Sequence, residues 1–308
     1  QGAQAQNIVR AVTGAVDNPG KISLSDLKNY RVIERQPVCA PYREYEVCGM
    51  GAPSSGAIAL GEILGILQNQ DMKALGAENI HSWRWIGDAS RIAFADRDHY
   101  IGDPAFVNVP TRALISQAYL KPRAEEIRQA DKALENIQAG KFGKKYAQGM
   151  AVELPSTSHL VVVDKDGNVV SMTTSIENAF GSGLMANGYL LNNELTDFAF
   201  NPVGEDGKTV VNSVAGGKRP RSSMAPTIVM KDGKPYLAVG SPGGSRIIGF
   251  VAKTLVAHID WGMDIQTAIS LPNMLNRGSQ YEIEEKTAAV DKAAALEKLG
   301  YKVQIRDL

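Results

Sequence analysis

The chain has 308 residues, 44% of them hydrophobic and 21% charged, with 33 lysines and arginines set against 33 aspartates and glutamates. That is enough chain for a substantial core in one large domain, and a formal charge of zero leaves no electrostatic footprint for nucleic acid or an anionic membrane. No apolar run reaches the roughly 18 residues that a bilayer-spanning helix needs.

The opening QGAQAQNIVRAVTGAV predicts a helix and lacks the basic start and apolar middle of a signal peptide. It begins without Met, and the chain stops at YKVQIRDL, which reads as a strand in progress; both ends read as cuts in something longer. ISLSDL (22–27) is a serine-capped turn, and residues 30–50 are rich in strand formers. Cys39 and Cys48 bracket APYREYEV, a spacing that suits facing strands of a hairpin. They are either a disulfide made in an oxidising compartment or two buried thiols.

GAPSSGAIALGEILGILQNQ (51–70) switches to helical period: Ser54 or Ser55 caps it, and Ile58, Leu60, Ile63, Leu64 and Leu67 fall near one face. A second helix is predicted from Glu78 to Tyr100, and a charged surface helix from Leu114 to Ala139. After about Glu153 the texture changes. HLVVVDKDGNVVSMTT (159–174) is two strands around a polar turn, and APTIVMKDGKPYLAVGS (225–241) repeats the pattern. SRIIGFVAKTLVAHIDWG and AAVDKAAALEKLG are then helices. Strand pairs followed by helices predict layered α+β packing in one domain, without βαβ repeats.

Several stretches carry candidate chemistry. DKDGN (164–168) opens like a calcium loop, but its glycine is fourth instead of sixth and the twelfth place is Ser175 where a glutamate is required, so it reads as a hairpin turn. His81, His99, His159 and His258 are scattered without a zinc-binding pair, and no G-x-S-x-G elbow occurs. In a strand His159 falls on the side of Thr157, where a structural role suffices. Ser156, Thr157 and Ser158 cluster before a strand, as a turn or as the home of a nucleophile. GSPGGSR (240–246) lies between strand and helix, where consecutive backbone N–H groups hold an anion or merely turn the chain. KRPRSSMAPT (218–227) and LLNNELTDF (190–198) are plain loops taken singly.

Taken together, TSHLVVVDKDGNVVSMT, FGSG, LLNNELTDF, KRPRSSMAPTIV and SPGGSRII resemble the γ-glutamyltransferase family, in order and at similar spacing. DLKNYRVIERQPVC, PSSG and ADRDHYIGDP resemble the latter part of its large subunit. The resemblance implies a four-layer αββα sandwich, the N-terminal-nucleophile hydrolase fold. It implies a precursor that cuts itself between Ser156 and Thr157, leaving 1–156 as the latter part of a large subunit and 157–308 as most of a small one, held as a heterodimer. A freed Thr α-amino group, with a pKa near 8, suits a base that takes the hydroxyl proton.

By the same resemblance Thr157 is the nucleophile, Gly243 and Gly244 form the oxyanion hole, and Ser175 hydrogen-bonds the nucleophile. Ser222 and Ser223 hold the substrate α-carboxylate, and Glu194 and Asp197 its ammonium. The expected reaction transfers the γ-glutamyl group of glutathione-like amides, through an ester on Thr157, to water or an acceptor amino acid or peptide. No metal or organic cofactor is implied, and the implied location is periplasmic or secreted. An acylase or poly-γ-glutamate hydrolase of the same family, and an inactive fragment or binding module, are the alternatives. Glu177 stands where the family usually carries Asn, either as a third carboxylate in the site or pointing to solvent. Position 194 is Glu where some members have Gln, and the loop from Asn201 to Pro220 is shorter than in members with a lid. The arginine that grips the substrate carboxylate, and the end of the small subunit, belong to parts outside this sequence.

Overall fold

The computed structural model describes residues 2–143, 146–149 and 156–308. Its first half holds α1 (Ala3–Thr13), α2 (Leu24–Asn29), the hairpin β1 (Val38–Tyr42) and β2 (Tyr45–Gly49), and the helices α3 (Gly56–Leu67), α4 (Met72–Leu75), α5 (Ile80–Tyr100), α6 (Thr111–Leu114) and α7 (Gln117–Gln129). Then come the hairpin β3 (Ser158–Val163) and β4 (Val169–Thr174), the short pair β5 (Met185–Ala186) and β6 (Tyr189–Leu190), and the hairpin β7 (Thr227–Lys231) and β8 (Lys234–Val239). The chain closes with α8 (Ile247–Ile259), α9 (Ile265–Ser270), β9 (Met274–Asn276), β10 (Tyr281–Glu284), α10 (Ala293–Lys298) and β11 (Val303–Arg306).

The central antiparallel sheet runs β1-β2-β7-β8, so a pair of strands from before Thr157 joins a pair from after it. β2 pairs with β7 from Glu46 opposite Met230 to Gly49 opposite Thr227. α3 packs on β1 and β2 and against α5, α7 and α8. All twelve of its residues are buried, so the apolar face expected from Ile58 to Leu67 extends around the whole helix. Its glycines permit this: a Cβ on Gly65 would meet Leu120 at 2.4 Å. A helix buried on every side has no polar stripe to announce its orientation.

β3 and β4 pair from Ser158 opposite Thr174 to Val163 opposite Val169. Their turn is the predicted one, with Asp164 Oδ1 accepting from the backbone N–H groups of Asp166 and Asn168 at 2.9 Å each. The hairpin lies beside β8, where Ser171 Oγ donates to the Val239 carbonyl at 3.5 Å. Leu160, Val161, Val162, Val163, Val170 and Met172 on it are exposed. A third sheet, β11-β10-β9, packs on α5 and α8.

The helix expected from Leu114 to Ala139 is instead α6, α7 and a non-helical stretch after Gln129. Two arginines of α5 draw that stretch out of helix: Arg84 donates to the carbonyls of Ala130 and Lys132, and Arg91 to that of Leu134. Likewise Ser55 stands at the start of α3, but its hydroxyl makes no cap and donates to the Ser222 carbonyl at 2.8 Å. α2 does carry the expected serine cap, in a reciprocal pairing of Ser23 with Asp26.

Cys39 and Cys48 sit directly opposite each other on β1 and β2 and are disulfide-bonded. The bridge closes a span of 9 residues, for which loop-closure entropy gives about 2–3 kcal/mol of stabilisation. Cys39→Ser should therefore lower the denaturant midpoint, and reductant should lower the wild-type midpoint to match. A wild-type midpoint indifferent to reductant would show the bridge contributes nothing.

Candidate active site

The register of the β3–β4 ladder, with Ser158 opposite Thr174, places Thr157 across from Ser175. Four polar atoms meet there. Thr157 Oγ1 and Ser175 Oγ each donate to the Ser156 carbonyl at 2.7 Å, and the two hydroxyl oxygens are 3.5 Å apart. The Glu177 backbone N–H donates to Ser175 Oγ at 2.8 Å, so this hydroxyl is held on its acceptor side as well as by the Ser156 carbonyl. A carbonyl that accepts two hydroxyl protons is polarised towards nucleophilic attack at its carbon.

These residues line one cavity together with Glu177, Glu194, Asp197, Ser222, Ser223, Met224, Gly244 and Ile247. Its volume is about 30 Å³, room for a water or two, and Ser156 forms part of its wall. Of the residues singled out in the sequence, Ser156, Thr157, Ser175, Glu177, Glu194, Asp197, Ser222, Ser223 and Gly244 are thus brought together. Gly243 is next door, on the wall of a neighbouring cavity of about 410 Å³ with Gly240, Pro242 and Phe250.

Both glycines need their lack of a side chain. Gly243 has φ +130° and Gly244 φ +58°, and a Cβ on Gly243 would come within 2.7 Å of the Phe250 ring. A single 3₁₀ turn (Gly244–Arg246) leads from them into α8, whose first residue, Ile247, also lines the cavity.

The acidic side of the cavity is held by Asn193, whose position in LLNNELTDF hides its role. Its Nδ2 donates to Glu177 Oε2, and its Oδ1 accepts from the Asn178 N–H at 2.9 Å. This amide ties the end of β4 to the 3₁₀ turn Glu194–Asp197. Glu177 is 4% exposed, at φ +70°, so it does not point to solvent. Burial foremost, with the Glu177 charge adding to it, raises the pKa of Glu194 above the ordinary carboxylate range. Asp197 is also buried.

His159 has a structural role. Its ring packs where a Cβ on Gly240 would lie, 2.2 Å away, and Nδ1 bonds Thr173 Oγ1 at 2.9 Å. Burial lowers its pKa, favouring the neutral ring. Among the described residues, the metal-ligand types that gather within reach of one another are Cys39, Glu46 and Cys48, and both sulfurs are in the disulfide.

The gamma-glutamyltranspeptidase family model matches residues 1–308. The chain is 40% identical over 302 residues to the glutathione hydrolase proenzyme of Escherichia coli, covering 94% of this chain and 50% of that protein. It is 36% identical over 294 residues to the acylase ACY 1 proenzyme of a Pseudomonas species, covering 93% of this chain and 49% of that one. The chain therefore spans about half the length of these relatives. A crystal structure of cephalosporin acylase from Bacillus halodurans superposes with a TM-score of 0.79 at 24% identity, over 98% of this chain and 51% of that one, and so shares the fold. That fold is the mixed helix-and-sheet N-terminal-nucleophile hydrolase type. From end to end, the chain belongs to the gamma-glutamyltranspeptidase family.

Proposed function

We propose that this chain carries the self-cleaving, acyl-transferring site of a γ-glutamyl transferase and hydrolase, with Thr157 as nucleophile. The observation that carries the reading is the Ser156 carbonyl, which accepts from both Thr157 and Ser175 in the same cavity as three carboxylates and a serine pair. In the precursor Thr157 Oγ1 attacks the Ser156 carbonyl carbon, its proton passes to the Thr157 nitrogen, and the peptide becomes an ester. Water then cleaves the ester, leaving a carboxylate on Ser156 and a free hydroxyl and amine on Thr157. Before the cut that nitrogen is an amide and no base; afterwards it is one.

In turnover the freed amine takes the hydroxyl proton as Oγ1 attacks the γ-carbonyl of a glutathione-like donor. The Gly244 N–H, with Gly243 beside it, receives the developing oxyanion. The amine returns the proton to the departing amide nitrogen, and water or an acceptor amine then releases the γ-glutamyl group from Thr157. Ser222 and Ser223 hold the donor's α-carboxylate, and Glu194 and Asp197 its ammonium. One domain, cut into segments 1–156 and 157–308 that stay together, houses all of this. No helix of the described residues is long and apolar enough to cross a membrane. The disulfide supports a periplasmic or secreted location. The test is turnover of γ-glutamyl-p-nitroanilide by protein whose mass shows the cut; cut protein that releases no nitroaniline would overturn the reading.

The acylase relative supports a second reading, an acyl donor without the α-amine. The acid cluster discriminates between the two, because three carboxylates around one cavity reward a cation. Glu177→Asn should weaken donors with a free α-amino group by about 1–3 kcal/mol, the scale of a hydrogen bond to a charged group, and barely affect a glutaryl analogue. The pH profile adds a sign. Glu194 must be ionised to hold the ammonium, and its raised pKa means that binding is lost as pH falls through a value above the ordinary 4.3 or so of glutamate. Removing the Glu177 charge lowers that pKa, so the acid limb should move to lower pH. Equal losses for both donors, with an unmoved acid limb, would take Glu177 out of the site.

A further inference from the structure

We infer that Arg97 is a positioning residue for the substrate-carboxylate subsite, acting through the Ser222–Ser223 turn. The inference rests on the reading of that serine pair as an anion site. Arg97 lies in the last turn of α5 and is 3% exposed. Its Nη2 donates to Ser223 Oγ at 2.6 Å and its Nε to Ser55 Oγ at 2.9 Å. Ser55 relays the contact, since its Oγ and backbone N–H both donate to the Ser222 carbonyl, at 2.8 and 2.7 Å. One guanidinium therefore reaches the turn twice, directly at Ser223 Oγ and through Ser55 at the Ser222 carbonyl.

The surrounding bonds show what the guanidinium completes. Ser222 N–H donates to the Pro53 carbonyl at 3.1 Å, and Ser54 Oγ to that of Met224 at 2.5 Å, so residues 53–55 and 222–224 are stitched side by side. Asp98 accepts from Arg97 and from Arg221, each at 3.2 Å, and Arg221 Nη1 returns to the Arg97 carbonyl at 3.1 Å. These bonds place the backbone. The Met224 N–H donates to Ser222 Oγ at 3.1 Å and so sets that hydroxyl, while the contact from Arg97 sets the rotamer of Ser223 Oγ.

A serine has three staggered wells, and a subsite works only if its donor is held within about 0.5 Å. Burying a guanidinium for packing alone is poor value, since an apolar side chain of that size would not have to be desolvated. A rigid fork that spans two hydroxyls is what the apolar residue lacks. A lysine lacks it too, being a point charge on a flexible stem. A hydroxyl that accepts from a cation also becomes a stronger donor to an anion.

The test uses the protein as the cell makes it and reads calorimetric binding of L-glutamate and of its α-amide, which differ at the α-carboxylate alone. Arg97→Lys should weaken L-glutamate about tenfold or more, the factor for one hydrogen bond to a charged group, and leave the α-amide within about twofold. With γ-glutamyl-p-nitroanilide the loss should appear in KM, with kcat little changed. Arg84→Lys, another buried arginine of α5 whose bonds go to backbone carbonyls of the 127–132 stretch, should leave the ratio of the two ligands alone. Should Arg97→Lys not fold, Ser55→Ala removes the relay hydroxyl and should shift the same ratio in the same direction. Equal weakening of both ligands, or an unchanged ratio in Arg97→Lys (in Ser55→Ala if the lysine variant does not fold), would overturn the inference. Wild-type protein that binds L-glutamate no better than its α-amide would overturn the anion-site reading itself, and this inference with it.

Discussion

Thr157→Ala should yield one uncut chain with no turnover above background. The wild-type chain should separate, on a denaturing mass measurement, into two pieces that part between Ser156 and Thr157. The Ser156 carbonyl is already polarised by two hydroxyls, and the alanine variant keeps the one from Ser175. It loses the attacking oxygen, and with it both the ester route through the scissile bond and the amine that the cut liberates. Removing nucleophile and base together should lower turnover by at least about a thousandfold, as when one member of a catalytic unit is deleted. Thr157→Ser keeps the oxygen and should still be cut. Cleavage of Thr157→Ala at this same bond would assign the chemistry to another group.

Gly244→Ala should lower kcat by about 100- to 1000-fold, the effect of losing one oxyanion donor, while leaving KM nearly unchanged. The reason lies in the backbone. Gly244 is at φ +58°, where an L-residue is strained by about 1–2 kcal/mol. The turn escapes that strain by rotating towards negative φ, which swings the N–H away from the cavity. A donor that meets charge only in the transition state leaves ground-state binding intact. The measurement belongs on protein already cut, so that slower maturation is not mistaken for slower turnover. Normal kcat in cut Gly244→Ala protein would move the oxyanion hole elsewhere.

Much of this was legible in the sequence because it is local. The Asp164–Asn168 turn, the helix ending at Tyr100 and the strand-turn-helix around Gly243 each follow from residues within a few positions of one another. So does the pairing of Thr157 with Ser175, once the turn sets the register. The rest depends on contacts between distant segments. Nothing near residue 130 says that Arg84 and Arg91, 43 to 48 positions away, will capture its carbonyls. Ser55 reads as a cap, yet Ser222 takes its hydroxyl from 167 positions away. Asn193 and Arg97 stand inside LLNNELTDF and ADRDHYIGDP, but nothing local in those stretches shows the distant segments that their side chains reach. Gly243 and Gly244 read as equals, while the turn between strand and helix sends them to two different cavities.

The shared central sheet has a consequence for the life of a protein cut before Thr157. Segments 1–156 and 157–308 each own half of that sheet, joined at the β2–β7 seam with α3 against α8 behind it. The precursor assembles this seam within one molecule, at a rate independent of dilution. After the cut, the same seam would have to be found by two separate chains, so recovery from denaturation becomes second order in protein and competes with aggregation of bare strand edges. The mature form would then persist through slow unfolding and not through reversible refolding. Its heat inactivation should depend on time at temperature, while the uncut Thr157→Ala chain, sharing every contact of the seam, should regain its structure on cooling.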